Sequence, residues 1–341
     1  MNFYPVRIID VINETSHARS FKLRPGDEHQ HLFDYKPGQF LTFRIPWHGV
    51  HHERCYSLSS SPSCDTELKV TVKRVKDGKV SNWFNDIPKP GDTIDVAPPS
   101  GRFVLRDNNQ PLNLFSGGSG ITPVISLIKQ VLHETELSPR LLYANSASDQ
   151  IIFKRELDDL NAQFPRRLYC HHHLDEVNGL ISTDVIESFI ADYLDRDYFV
   201  CGPGAFMELT EDVLIKTGVS HKNILIERFT SPDDSVANRE AIVPVAAAND
   251  VAEFRATLDG KEHKVPYRQG ETLLECMLAN GLDPVHSCKD AHCGSCMVIR
   301  KTGKNTLRKS TVLSKRDKEK GYILLCQAIP QSDDVWVDCD A

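Results

Sequence analysis

From residue 1 to about 105 the chain alternates apolar and polar positions in short runs, among them Val6 to Ile12, Phe40 to Ile45 and Leu68 to Val75. Turn-forming groups separate the runs: Lys36-Pro37-Gly38, Asp77-Gly78 and Lys89-Pro90-Gly91-Asp92. Alternation of this kind marks half-buried strands, and many short strands at regular spacing predict an antiparallel β-barrel. After Leu112 the texture changes to apolar strand, glycine turn and amphipathic helix. Leu112 to Phe115 precedes Gly117 and a helical pattern from Pro123 to His133; Arg140 to Tyr143 precedes one from Lys154 to Leu160. Tyr198 to Cys201 is followed by Gly202-Pro203-Gly204 and a helix from Phe206. Strands that alternate with helices predict a parallel sheet with ligands at its carboxyl edge. Ser231 to Asp250, rich in Ser, Asp, Asn, Pro and Ala, reads as a linker. Beyond it, Phe254 to Leu258, Asp259-Gly260 and His263 to Val265 predict a hairpin, and Glu271 to Asn280 a helix. The expected domains are therefore residues 1–107, 108–230 and 251–341, with 231–250 between the last two.

A chain of 341 residues is too long for one ordinary core, in keeping with several domains. Met1-Asn2-Phe3-Tyr4-Pro5 has neither the basic start nor the apolar run of a signal peptide, and the longest apolar stretch, near Ala241 to Ala248, is far short of a membrane span. A cytoplasmic location is expected. The net charge of -7 hides an asymmetry. Residues 1–250 carry 26 basic and 34 acidic side chains, whereas Arg300 to Lys320 holds nine Lys and Arg against Asp317 and Glu319. This basic stretch is either a solvated hairpin and helix or a docking surface for an acidic protein. Nucleic acid is not indicated, since no aromatics are interleaved and the overall balance is acidic.

Cys288, Cys293, Cys296 and Cys326 stand as C-x4-C-x2-C, a long gap and a lone cysteine, the spacing of a plant-type [2Fe-2S] site. The first three share the loop Ser287-Cys288-Lys289-Asp290-Ala291-His292-Cys293-Gly294-Ser295-Cys296, whose small residues let backbone N–H groups turn toward sulfur. Zinc would want a second close pair, and Cys326 has no neighbouring Cys or His. A thioredoxin-like dithiol at Cys293 and Cys296 leaves the other two unexplained. Cys55, Cys64, Cys170, Cys201, Cys276 and Cys339 show no paired spacing and read as free thiols. His171-His172-His173 cannot form one facial metal site, because neighbours on a strand face opposite ways, and they are expected at the surface. His48, His51 and His52 are expected in a solvated loop after Trp47.

Three further motifs lie in the first 230 residues. Arg54-Cys55-Tyr56-Ser57 falls on a predicted barrel strand and Gly78-Lys79-Val80-Ser81 follows at a distance. A guanidinium fork suits a pyrophosphate and an aromatic wall suits a planar ring, although such a tetrapeptide alone reads as an ordinary strand. Gly117-Gly118-Ser119-Gly120-Ile121-Thr122-Pro123 joins an apolar strand to a helix whose free N–H groups can face a phosphate; it is not the G-x-G-x-x-G fingerprint. In Val200-Cys201-Gly202-Pro203-Gly204 the cysteine by itself reads as a buried structural thiol.

In this order, and with the cysteine spacing, the motifs resemble the ferredoxin-NADP reductase superfamily, and within it flavin reductases with a C-terminal ferredoxin domain. The likeness is strongest to reductase components of Rieske oxygenase systems of the 3-ketosteroid 9α-hydroxylase kind. It rests on Pro37-Gly38-Gln39-Phe40-Leu41-Thr42, Arg54-Cys55-Tyr56-Ser57-Leu58, Val72-Lys73-Arg74, Ser81-Asn82-Trp83, Cys201-Gly202-Pro203-Gly204 and His292-Cys293-Gly294-Ser295-Cys296. The resemblance implies a multidomain chain: an antiparallel β-barrel for FAD, an α/β parallel-sheet domain for NAD(P), and an α+β (β-grasp) [2Fe-2S] ferredoxin domain. It implies that Arg54 meets the flavin pyrophosphate, Tyr56 stacks on the flavin ring and Ser57 lies near its N5. Val72, Lys73, Gly78, Lys79, Val80 and Ser81 complete that site. Gly117, Gly118, Ser119, Gly120 and Thr122 would hold the dinucleotide together with Cys201, Gly202, Pro203 and Gly204, with Cys201 beside the nicotinamide. Glu227 and Phe229, in an E-x-F-like ending, would border the flavin, and Ser57, Cys201 and Glu227 would form the catalytic set.

The implied activity is NAD(P)H-dependent reduction of a partner oxygenase through FAD and the cluster. The alternatives are a reductase for hybrid-cluster protein or another soluble carrier, and a redox-sensing binding protein without turnover. Two departures bear on the details. Ser146 stands where several relatives carry an arginine, which favours NADH over NADPH unless Lys154 or Arg155 reaches a 2′-phosphate. Lys304-Asn305-Thr306-Leu307-Arg308-Lys309 is more basic than the steroid-system pattern and bears on the acceptor.

Overall fold

The alternating runs become six strands in the computed structural model: β1 (Tyr4–Thr15), β2 (Ala18–Pro25), β3 (Phe40–Trp47), β4 (Val50–Ser57), β5 (Leu68–Lys73) and β6 (Thr93–Ser100), with helix α1 (Lys79–Asp86) before the last. The structure describes residues 2–47, 49–106, 110–191, 193–229, 251–286, 288–289, 291, 293–310, 312–313 and 315–340, leaving aside the side chains of Val50 and Lys315. The linker expected over 231–250 lies outside the described residues, as do His48 and the Ser287, Asp290 and His292 of the cysteine loop. The strands pair antiparallel in the order β4-β3-β6-β1-β2-β5, and a bridge between Leu58 and Val70 links the two edges, which closes the barrel. Phe21, Phe43, Tyr56 and Phe84 meet edge to face inside it at centroid distances of 5.2 to 5.8 Å. Burying each such ring contributes about 2–3 kcal/mol, and the edge contacts add to it. His51 and His52 pair with Pro46 and Ile45 within β4 and so belong to a strand, not to the expected loop.

The next stretch forms β7 (Leu112–Gly117), α2 (Ile121–Glu134), β8 (Arg140–Asn145), α3 (Lys154–Gln163), β9 (Tyr169–Leu174), α4 (Asp175–Asn178), α5 (Thr183–Ile190), β10 (Asp197–Cys201), α6 (Gly204–Lys216) and β11 (Ile224–Glu227). Its five strands are parallel in the order β11-β10-β7-β8-β9. The middle strands are nearly continuous apolar runs because helices cover both faces, Leu114 and Phe199 packing on one side and Phe115 and Val200 on the other. The histidine run occupies the edge strand β9. His173 is buried there, its Nε2 2.9 Å from the Gly179 carbonyl oxygen, which corrects the expectation of a surface residue. Barrel and parallel sheet together make one compact unit, residues 1–228.

The second unit, residues 229–341, has β12 (Glu253–Leu258), β13 (Lys261–Pro266), α7 (Leu273–Ala279), β14 (Met297–Thr302), β15 (Asn305–Leu307), α8 (Lys315–Glu319), β16 (Tyr322–Leu324), β17 (Ala328–Pro330) and β18 (Trp336–Asp338). The main sheet runs β13-β12-β18-β14-β16, with β12 and β18 parallel at its centre, the arrangement of a β-grasp domain. Thr272 and Glu275 form a reciprocal capping box that starts α7, whose Leu273, Leu274 and Met277 fill the core. The basic stretch is not a hairpin: β14 pairs with β16 and β18, whereas β15 pairs with β17.

Candidate functional site

In the first unit the barrel and the parallel sheet each contribute one wall. Along β4, Tyr56 lies against Phe43 and Phe84, and burial raises its hydroxyl above the ordinary tyrosine range, so the ring stays neutral. Arg54 donates from Nη1 to the Glu53 carbonyl oxygen at 2.8 Å, which fixes part of its fork. Val72 is buried in the barrel core with its carbonyl taken by Asn85, so its side chain is a packing group. Gly78 precedes α1, where Val80 is buried and Lys79 exposed. The Ser81 hydroxyl accepts from Val75 N at 3.1 Å, and a Cβ at Gly78 would come within 2.5 Å of that oxygen. Gly78 is thus needed for the turn that opens the helix.

The strand β5 ends in Lys73, whose ammonium would stand 3.5 Å from a Cβ placed at Gly118. Burial lowers its pKa, and among the described residues no carboxylate pairs with it. A half-buried cation between the flavin-type strand and the glycine loop is suited to a phosphate.

At the carboxyl edge of the parallel sheet the glycines answer first to one another. A Cβ at Gly120 would lie 2.1 Å from the Cys201 carbonyl oxygen, one at Gly202 would lie 2.9 Å from Gly117 N, and one at Gly117 would lie 2.7 Å from Pro203 Cδ. The loops after β7 and β10 therefore pack backbone to backbone, a tighter demand than approach to a phosphate alone. Gly118 takes a left-handed conformation at φ +51° and its carbonyl accepts from Tyr143 Oη at 2.9 Å. Thr122, in the first turn of α2, donates to the Ser119 carbonyl oxygen at 3.1 Å. A Cβ at Gly204, on the first turn of α6, would meet open space.

Lateral register then assembles a polar row. Glu227, Cys201, Ser116, Tyr143 and His172 stand side by side across β11, β10, β7, β8 and β9. Ser57 reaches this row from the barrel: its hydroxyl donates to Glu227 Oε2 at 2.9 Å across 170 residues of sequence. Cys201 is fully buried, and burial followed by the Glu227 charge pushes its thiol well up, so it stands beside the carboxylate as a neutral group. Ser57, Cys201 and Glu227 are thus brought together. Phe229 is not part of this unit; it opens the second one and is 40% exposed. Ser116, buried with its hydroxyl lacking a hydrogen-bond partner among the described residues, was not foreseen, since a serine at a strand end carries no sequence signal.

In the second unit the thiols form two pairs. Cys288 N approaches Cys293 Sγ at 3.5 Å and Cys293 N approaches Cys288 Sγ at 3.3 Å, while the Cys296 and Cys326 thiols share a hydrogen bond. Among the described residues no three His, Cys, Asp or Glu groups converge on a single ion position. Four neighbouring cysteines are the ligand set that a [2Fe-2S] centre requires. Lys289, Ala291 and Gly294 turn the loop through left-handed conformations at φ +54°, +60° and +68°. Gln327 donates from Nε2 to Cys326 Sγ at 3.5 Å and to the Lys289 carbonyl oxygen at 3.1 Å, which ties the lone cysteine's segment to the loop of the other three.

Comparison with known proteins accounts for the whole arrangement. Residues 5–105 match an oxidoreductase FAD-binding domain, residues 114–212 an oxidoreductase NAD-binding domain and residues 256–331 a 2Fe-2S iron-sulfur cluster binding domain. The chain is 39% identical to the ferredoxin reductase component of 3-ketosteroid-9-alpha-monooxygenase from Rhodococcus rhodochrous, covering 96% of this chain and 94% of that one. It is 32% identical to the glycine betaine monooxygenase reductase subunit of Pseudomonas aeruginosa, over 96% and 93% of the two chains. Among solved structures, phthalate dioxygenase reductase shares the fold with a TM-score of 0.62 at 23% identity, over 98% of each chain. An FAD-binding barrel, an NAD(P)-binding sheet and a [2Fe-2S] domain in one polypeptide are the hallmark of the ferredoxin reductase components of oxygenase systems, and this chain belongs to that family.

Proposed function

We propose that this chain draws reducing equivalents from NADH and delivers them to a terminal oxygenase of the Rieske kind in the cytoplasm. The observation that carries the reading is the contact of Ser57 with Glu227 beside Cys201, which joins a barrel residue to the carboxyl edge of the parallel sheet. Bound FAD supplies the passage from two-electron to one-electron chemistry that lies between a nicotinamide and a [2Fe-2S] centre. Tyr56 provides the wall for a flat ring, Arg54 and Lys73 provide cations for pyrophosphate, and Gly118 to Thr122 with Cys201 to Gly204 provide the dinucleotide loops. The Ser57 hydroxyl, oriented by Glu227, offers a fixed dipole at the reacting edge, and the neutral Cys201 thiol brings no second charge. Cys288, Cys293, Cys296 and Cys326 hold the cluster.

The preference for NADH gains support at the sheet edge. Glu176 N donates to the Ser146 carbonyl oxygen at 3.0 Å, and Glu176 Oε1 accepts from Ser148 N at 2.9 Å, so a carboxylate stands where a 2′-phosphate would need a cation. Lys154 is paired with Asp158 at 2.9 Å, and Arg155, 96% exposed, points its guanidinium toward Asp159. The relatives' oxygenase partners support an oxygenase acceptor here, and the basic stretch over 300–320 supplies a docking face. Part of its charge is already answered, Lys301 by Asp338 at 3.0 Å and Arg308 by Glu275 at 3.9 Å, so its effect is on encounter more than on affinity.

Ser57→Ala tests the core of the reading. Bleaching of the flavin by NADH should slow by on the order of 100-fold while dithionite still reduces both chromophores. An unchanged rate would overturn it. For the docking face, raising the salt from 0.05 to about 0.3 M should slow electron delivery to the oxygenase while NADH-to-ferricyanide turnover holds steady. Equal responses would remove the face from the account.

A further inference from the structure

Helix α2 carries the dinucleotide loop at its N-terminal end, and one face of it is fastened to the barrel by buried polar ties. Ser126, fully buried, donates to the Ser60 carbonyl oxygen at 2.6 Å and accepts from Gly38 N at 3.3 Å. One turn further on, Lys129, 3% exposed at its side chain, donates to the Ser59 carbonyl oxygen at 3.2 Å and to Asp65 Oδ2 at 2.9 Å, and also pairs with Glu156 of α3. Lys69 of β5 completes the set, its ammonium 2.7 Å from Glu156 Oε2 and 5.0 Å from the centroid of the Phe153 ring. Two lysines thus meet two carboxylates within a mostly buried cluster, shared between the barrel (Asp65, Lys69) and the parallel-sheet half (Lys129, Glu156), and Glu14 of β1 stands near enough to interact with Lys69 and Glu156.

The position of these ties along the chain matters more than their strength. Ser59 and Ser60 continue the segment that presents Arg54, Tyr56 and Ser57, and both are fully buried. Ser60 is itself held by Tyr35, whose hydroxyl donates to Ser60 Oγ at 2.7 Å, and by Lys69 N at 2.9 Å to the same oxygen. The flavin-type residues and the anchors of α2 therefore sit two to six residues apart on one stretch of backbone. Any sliding of α2 along the barrel would leave Lys129 as a buried charge parted from Asp65, which is strongly disfavoured. A group with no contact to either cofactor can in this way set the distance between them, and reaction rate is steeply sensitive to that distance.

We propose that Lys129 and Ser126 are positioning residues for hydride transfer, locking the helix of the dinucleotide loop to the strand end that bears Tyr56 and Ser57. The proposal rests on the reading that these two segments serve the nicotinamide and the flavin. Its signature is a split: the register of the bound nicotinamide changes while the cofactors still bind.

Lys129→Met and Ser126→Ala test it in the full-length holoprotein, with two readouts. The first is flavin bleaching by NADH in a stopped-flow instrument, resolved into limiting rate and half-saturating concentration. The second needs no turnover: the long-wavelength absorbance that a stacked nicotinamide gives when NAD+ is added to the dithionite-reduced protein. Lys129→Met should lower the limiting rate by on the order of 100-fold with half-saturation within about twofold, and should weaken the long-wavelength band. Ser126→Ala, which removes a hydroxyl and no charge, should act the same way at about fivefold, and it carries the test if the lysine variant loses FAD. Both variants keeping the wild-type rate and band would overturn the clamp and leave the cluster a stabilising feature alone. Loss of rate with an intact band would overturn it as well, since the register would be unchanged. A wild-type protein whose flavin NADH fails to bleach would overturn the underlying reading and the clamp with it.

Discussion

The two units hold their chemistry in opposite ways. In the second unit three of the four thiols come from nine consecutive positions, 288 to 296, and the fourth is tied to their loop by Gln327 and by the bond from Leu325 N to the Cys296 carbonyl oxygen at 3.0 Å. In the first unit Ser57 and Glu227 meet across 170 residues, and their meeting depends on a closed barrel, a five-stranded register and the fastening of α2. A locally encoded site survives changes in distant packing. A site assembled from distant strands does not, so its reactivity should respond to substitutions that touch no cofactor.

The largest contrast comes from removing one ligand of the local site. Cys326→Ser should abolish the iron-sulfur visible bands and electron delivery to the acceptor, yet leave flavin absorbance and NADH-to-ferricyanide turnover in place, because Arg54, Tyr56, Ser57, Lys73 and Glu227 all lie in the first unit. Loss of both activities would mean that the two sites are not separable. A smaller effect is expected from Gly120→Ala. The new methyl group would meet the Cys201 carbonyl oxygen at 2.1 Å and must push the two loops apart, at a cost of about 1–3 kcal/mol seen as a lowered melting temperature. Flavin bleaching by NADH should slow with it, whereas the iron-sulfur spectrum should not change. A variant as stable as the wild type would show that the loop contact is softer than its geometry.

The same contrast explains what could be read before any coordinates. Ligand spacing lies along the chain, so four cysteines were enough to propose a cluster site in what matches a 2Fe-2S domain, while the alternation of apolar positions marked the barrel and the alternation of strands with helices marked the parallel sheet. The glycine loops were legible as motifs but not in their cause: Gly117, Gly120 and Gly202 make room for one another, which no single loop announces. His173 illustrates how an edge strand still buries one side chain when the turn after it folds back as far as Gly179. Glu227 followed from resemblance alone, whereas its partner Ser57 was placed against it only by the packing of the sheet edge on the barrel. Lys129 did leave a trace. It occupies the position one turn after Ile125 on the apolar stripe of α2, where a lysine is out of pattern, and the structure accounts for it with Asp65 and Glu156. The pairing of β15 with β17 was beyond reach, because both strands are only three residues long and carry no periodic signal.

The most direct test of the account is an anaerobic titration of the full-length protein with NADH, followed across the visible spectrum, with NADPH in parallel. Stepwise loss of both the flavin and the iron-sulfur bands at low NADH, with NADPH much less effective, is the predicted result. Bleaching of the flavin bands while the iron-sulfur bands persist would contradict the claim that this one chain carries electrons from the nicotinamide to the cluster.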